Sequence, residues 1–77
     1  MKNAALSEIF DQIADVMEIL GQDRFRINSY RKVARIVDEM PTDIEVLLET
    51  GKLADVPGIG KSSLAKIEEF CQTGRIQ

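Results

Sequence analysis

The run Val56-Pro57-Gly58-Ile59-Gly60-Lys61-Ser62-Ser63 interrupts a chain that is otherwise helical in pattern, and it dictates a sharp reversal at one place. Pro57 fixes its own φ and ends the segment before it. Gly58 and Gly60 lack a Cβ, so each can take a positive φ or let another backbone come close. Lys61 opens a new helical pattern, and the first N–H groups of a helix have no partner inside it. A phosphate oxygen can satisfy those groups, and the helix dipole favours its negative charge.

Pro and Gly could serve geometry alone, as a tight turn between two helices. The flanking residues favour a more specific reading. Leu53 and Val56 precede the run, and Leu64, Ile67, Phe70 and Cys71 follow it at helical spacing. Over about residues 52–73 this is the pattern of a helix-hairpin-helix that grips a nucleic-acid phosphate through Gly58, Gly60, Lys61, Ser62 and Ser63. Gly60-Lys61-Ser62 also imitates the end of a P-loop. That motif needs a glycine where Asp55 stands and a strand before it, so a nucleoside triphosphate site is excluded.

Seventy-seven residues make one small domain with room for a single compact core. The chain has no histidine and one cysteine, which makes a zinc site improbable and rules out an internal disulfide. Cys71 falls on the apolar side of the last helix and reads as a core thiol. No apolar run is long enough to span a membrane and no signal-peptide pattern opens the chain, so an intracellular protein without a membrane partner is expected.

Net charge is −3, which argues against a generic polyanion binder, but its distribution says more. Asn3 to Gln22 holds four acids (Glu8, Asp11, Asp15, Glu18) and no base. Arg24 to Arg35 holds five bases (Arg24, Arg26, Arg31, Lys32, Arg35) and no acid. Asp38 to Glu49 again holds five acids and no base. The basic block can meet phosphates while the rest of the molecule repels them. It can equally be a solvated face paired with the acidic helices beside it. Charge alone leaves both open.

Leu6, Ile9, Phe10, Ile13, Val16, Met17 and Leu20 recur at three- and four-residue steps and predict a first helix from about Asn3 to Leu20, with Gly21 as its C-cap. Asp23 is an N-cap for a second helix to about Glu39, with Ile27, Tyr30, Val33, Ala34 and Val37 facing inward. Pro41 breaks the chain. Thr42-Asp43-Ile44-Glu45 has the form of a capping box and predicts a short third helix ending at Gly51. A helical turn near Lys52–Asp55 leads to the hairpin, and a last helix runs from about Lys61 to Thr73, capped by Gly74. No stretch alternates at period two. The expectation is a compact all-α fold of four helices, a single domain over 1–77 containing one helix-hairpin-helix.

Phe25-Arg26-Ile27-Asn28-Ser29-Tyr30-Arg31-Lys32-Val33-Ala34, Val56-Pro57-Gly58-Ile59-Gly60, Lys66-Ile67-Glu68-Glu69-Phe70 and Thr73-Gly74-Arg75 together resemble the N-terminal 8 kDa, lyase-type domain of X-family DNA polymerases, the DNA polymerase beta type. The resemblance runs from Asn3 to Ile76. The acidic balance and the opening Met1-Lys2-Asn3 look more like the bacterial or archaeal branch, which would put the protein in the cytoplasm, associated with the nucleoid. The family implies base-excision repair and binding at the 5′-phosphate side of gapped or nicked DNA. It also implies polymerase domains in a longer parent protein, and no DNA synthesis from these residues alone. A monomer is expected.

What the resemblance implies for single residues follows from their chemistry. Lys66 matches the family's Schiff-base lysine, whose neutral amine attacks C1′ of a ring-opened sugar so that the iminium acidifies C2′–H and permits β-elimination. A neighbouring cation such as Lys61, or desolvation, would favour the neutral amine. Without the resemblance, Lys66 reads as an exposed lysine paired with Glu69 or with a phosphate. Arg26 and Tyr30, at i and i+4, match the phosphate-pocket lysine and tyrosine, and a guanidinium fork suits phosphate oxygens. Tyr30 also lies on the apolar stripe, so its ring can pack while its hydroxyl stays available. Phe25 matches a position that stacks on a template base, or it staples the helix start.

No cofactor is required. The carbonyls of Ala54, Val56 and Ile59 match positions that hold K+ or Na+ and bridge it to DNA. Ala54, Ser62 and Ala65 stand where the family has a basic residue, a second lysine and a glutamate. That departure weakens the case for lyase activity more than the case for phosphate binding. Three readings therefore stand: a sequence-independent DNA-binding repair module, a 5′-deoxyribose-phosphate lyase acting through Lys66, and a protein-interaction domain.

Overall fold

A computed structural model describes residues 2–74. Four α-helices and one short 3-10 turn account for the regular structure: α1 (Asn3–Ile19), α2 (Arg24–Glu39), α3 (Ile44–Glu49), the turn Leu53–Asp55, and α4 (Lys61–Thr73). The described residues contain no strand, as the missing period-two pattern predicts.

Each boundary has a local cause. The Asp23 carboxylate accepts the Phe25 N–H at 3.2 Å and starts α2. Gly21 and Gly51, at φ +70° and +73°, end α1 and α3 in the same way. Gly21 N–H bonds Glu18 O and Gln22 N–H bonds Met17 O, the paired bonds of a Schellman motif. Gly51 and Lys52 repeat the arrangement on Leu48 and Leu47.

The start of α3 differs from the sequence expectation. Asp43, not Thr42, is the N-cap, and its carboxylate accepts the Glu45 N–H at 3.0 Å. The Thr42 carbonyl is instead taken by Asn3 Nδ2 at 2.8 Å, while Asn3 Oδ1 accepts the Ile44 N–H at 2.8 Å. Buried Asn3 thus satisfies a donor and an acceptor at the mouth of α3 and fastens it to the start of α1. Glu45, freed from the capping box, pairs with Lys2 at 3.1 Å.

The core is continuous. Leu6, Phe10 and Ala14 of α1 meet Ile27, Tyr30, Val33, Ala34 and Val37 of α2. Ile44, Leu53, Ile59, Ile67 and Phe70 close it from the other elements. Buried Ser7 donates to the Ala34 carbonyl at 2.7 Å, so α1 and α2 are joined by a hydrogen bond as well as by packing. Val16 and Leu20, expected on the α1 stripe, are exposed. At 100° per residue Val16 lies at the margin of the stripe, and Leu20 is the C-cap, past the last packed residue Met17. Cys71 is half-buried against the core, and burial, helped by Glu45, pushes its thiol up.

Candidate nucleic-acid interface

The hairpin is a turn with a helix attached. Ile59 N–H bonds Val56 O at 3.2 Å, with Pro57 and Gly58 between them and Gly58 at φ +96°, the signature of a type II turn. Ile59 then buries its side chain in the core and anchors the loop. The two glycines differ. Gly58 needs its positive φ, and a Cβ there would stand 2.6 Å from Ile36 Cδ1. Gly60, expected to share that freedom, is extended at φ −88° and ψ 179° and serves as the N-cap of α4.

As N-cap, Gly60 offers no side-chain oxygen to the first turn. Leu64 is the first residue of α4 whose N–H reaches a carbonyl, that of Gly60 at 2.9 Å. The Lys61, Ser62 and Ser63 N–H groups are left for an outside acceptor, whereas α2 and α3 are closed by Asp23 and Asp43.

Beside this open end lies a cleft of about 150 Å³ lined by Phe25, Arg26, Ser29, Tyr30, Ser62 and Ser63. Two elements build it. The i, i+4 spacing on α2 brings Arg26 and Tyr30 to one place, and the first turn of α4 brings Ser62 and Ser63 opposite them. Tyr30 is 8% exposed; its ring lies 5.7 Å from Phe10, tilted by 32°, so the core fixes it while its edge reaches the cleft. The hydroxyls of Ser29, Tyr30, Ser62 and Ser63 have no hydrogen-bond partner among the described residues. Ser29 is the one lining residue that the sequence reading did not single out. A serine in the i+3 register of Arg26 was the available signal.

The basic block divides along α2. Arg24 pairs with Glu18 at 2.7 Å, and Arg31 reaches Asp15 at 3.0 Å, Glu18 at 3.4 Å and Asp11 at 3.8 Å. A hydrogen bond from Arg24, with its charge and that of Arg31, holds the Glu18 carboxyl below the usual carboxylate range. Arg26, Lys32 and Arg35 make no ion pair among the described residues. The paired-face reading of the charge pattern therefore holds for Arg24 and Arg31, which the acids of α1 take up. The acidic α1 neutralises Arg24 and Arg31, and Arg26 is left to the cleft.

Other expected residues fall nearby. Lys61 and Gly60 are exposed at the mouth of α4 but do not line the cleft. Lys66 does not line the cleft; it is half-buried, with Nζ over the Tyr30 ring and 6.0 Å from its centroid, at the limit of a cation–π contact. Phe25 is 80% exposed at the rim. Of the three hairpin carbonyls, Val56 O holds the turn, while those of Ala54 and Ile59 accept no hydrogen bond among the described residues. No group of three or more His, Cys, Asp or Glu among the described residues could hold a metal. No described helix is long and apolar enough to cross a membrane.

Residues 1–76 match a family described as a helix-hairpin-helix domain. The chain is also 35% identical over 74 residues to DNA polymerase lambda of Arabidopsis thaliana, a match covering 96% of this chain and 13% of that protein. The type II turn, the uncapped α4 and the family match lead to one assignment: the chain belongs to the helix-hairpin-helix domain family.

Proposed function

We propose that this domain is a DNA-binding module of a polymerase and recognises the 5′-phosphate at a gap or nick without reading sequence. One observation carries the proposal. Arg26, with no acid to neutralise it, four unpartnered hydroxyls and the open N-terminus of α4 converge on one small cleft. Every one of these groups can donate to an oxyanion, and none presents a base-specific pattern, so binding is positional. A terminal phosphate carries more charge than an internal one and offers more oxygens to these donors. A K+ or Na+ ion on the Ala54, Val56 and Ile59 carbonyls would add one positive charge beside the same strand.

Binding to a duplex with a short gap, with and without the downstream 5′-phosphate, tests this at two salt concentrations. The phosphorylated gap should bind more tightly, and salt should weaken it. Arg26→Ala should cost about 1.5–3 kcal/mol, roughly ten- to hundredfold in affinity, and erase most of the preference for phosphate. Equal affinity for both duplexes at low salt would overturn the proposal and favour a protein partner for this surface.

A second reading, lyase activity through Lys66, is favoured by the 6.0 Å approach of Nζ to the Tyr30 ring, which keeps the amine beside the phosphate cleft. The chain should then form a borohydride-trapped adduct with an incised abasic site, lost in Lys66→Ala. Undiminished trapping in that variant, or none in the wild type, would remove Lys66 from this role.

A further inference from the structure

The first helix carries two apolar stripes, and the core uses only one of them. Leu6, Phe10 and Ala14, four residues apart, are fully buried, and Met17 packs behind them. Leu6, Ile9, Ile13, Val16 and Leu20 form a second line at alternating steps of three and four, the spacing of a coiled-coil seam. A seam of that period drifts by about 20° per heptad against a straight α-helix, so it turns out of the core along α1. Leu6 is buried, Ile9 and Ile13 are half-buried, Val16 is 54% exposed and Leu20 is 67% exposed. Leu20 is the C-cap but keeps helical angles, φ −78° and ψ −2°, and so stays in register. Ile19, 84% exposed, borders the same end. Val16, Ile19 and Leu20 do not line the phosphate cleft.

Three large apolar side chains exposed on one turn mark an interaction surface rather than scattered surface residues. A three–four seam is covered by another helix lying along it at a shallow crossing angle. Charge decides whose helix that is. From Asn3 to Gln22 the chain has Glu8, Asp11, Asp15 and Glu18 and no base. Arg24 and Arg31 pair with Asp11, Asp15 and Glu18, yet those three acids stay exposed, and Glu8 makes no ion pair among the described residues. The α1 of a second copy would bring the same acids against these, and they repel a DNA backbone. We infer that the seam docks a basic amphipathic helix of a partner protein. Its apolar residues, also at three–four spacing, cover Ile13, Val16 and Leu20, and its lysine or arginine flanks face the acids of α1. Docking there leaves the phosphate cleft open.

The test uses the whole chain and three synthetic peptides, each of about three heptads. The first has leucine along a three–four seam and lysine at the positions flanking it. The second keeps the seam and replaces lysine by glutamate. The third keeps lysine and replaces the seam leucines by alanine. The chain should bind the first peptide about tenfold more tightly than either of the others. Val16→Ser and Leu20→Ser should each weaken that binding about tenfold, the scale of one apolar side chain withdrawn from an interface, and leave the affinity for phosphorylated gapped DNA unchanged. Failure to bind the first peptide overturns the proposal. Equal affinity for the first and third, or variants that bind the first like the wild type, would reduce the contact to charge and overturn the seam. Equal affinity for the first and second would overturn the basic partner. Sedimentation of the chain alone should show a monomer. A dimer that Leu20→Ser dissociates would make a second copy the occupant and overturn the proposal too. Both residues are exposed, so thermal melting of the variants should match the wild type. Should Val16→Ser melt early, Leu20→Ser decides the question by itself.

Discussion

Phe10→Ala is expected to cost about 3–5 kcal/mol of stability, a fall in Tm of order 15–30 °C for a domain of this size. Phe10 has no exposed surface and sits where α1 faces α2. Removing the ring gives up its transfer energy and leaves a void beside Tyr30 that the rest of the core can fill only by moving. Against a total stability of about 5–15 kcal/mol, and nearer the lower figure for so short a chain, such a loss leaves much of the protein unfolded on mild warming. Urea unfolding followed by circular dichroism gives the number directly. The milder Phe10→Leu should cost roughly 1–2 kcal/mol and stay folded at room temperature. Tyr30 then loses the ring 5.7 Å away that fixes it, so this variant should bind phosphorylated gaps less selectively while its salt dependence holds. Phe10→Ala melting within a few degrees of the wild type would mean that α1 and α2 do not share the core described here.

The second large effect separates two glycines that look alike in the sequence. Gly58→Ala places an L-residue at φ +96°, a conformation costing about 1–2 kcal/mol. It also drives a methyl to 2.6 Å from Ile36 Cδ1 and 3.2 Å from Lys32 Cε. Both atoms end side chains that can yield, at about 1 kcal/mol for a displaced rotamer, so the sum is about 2–3 kcal/mol. The fall in Tm should be roughly 10–20 °C. Gly60→Ala is the control. Its backbone is extended, nothing lies within 4 Å of the added methyl, and the cost should stay below about 1 kcal/mol, the size of a weakened N-cap. Paired differential scanning calorimetry of the two variants is decisive. Equal melting temperatures would contradict the hairpin geometry. A folded Gly60→Ala that no longer binds phosphorylated DNA would show that the open space beside Gly60 belongs to the ligand.

Sequence by itself determined the order and nearly all the limits of the helices, because each signal acts within a few residues. Asp23 caps its own helix, Gly21 and Gly51 close theirs, and Pro57-Gly58 turns the chain where it stands. The i, i+4 spacing also put Arg26 and Tyr30 on one face before any packing was known. Where a local signal failed, a distant residue had displaced it. Thr42 and Glu45 spell a capping box, but Asn3, 39 positions away, takes the Thr42 carbonyl, and Lys2 takes Glu45. Only the tertiary structure decided which bases are spent on α1 and which remain for a ligand. Arg24 and Arg31 are indistinguishable from Arg26 by type and neighbourhood in the chain, and what separates them is the rotation of α2 against Asp11, Asp15 and Glu18 of α1. The requirement for glycine at 58 arises in the same way, from Ile36 and Lys32 pressing on the hairpin. Local periodicity sets which face a residue occupies. What that face then meets depends on how the helices pack.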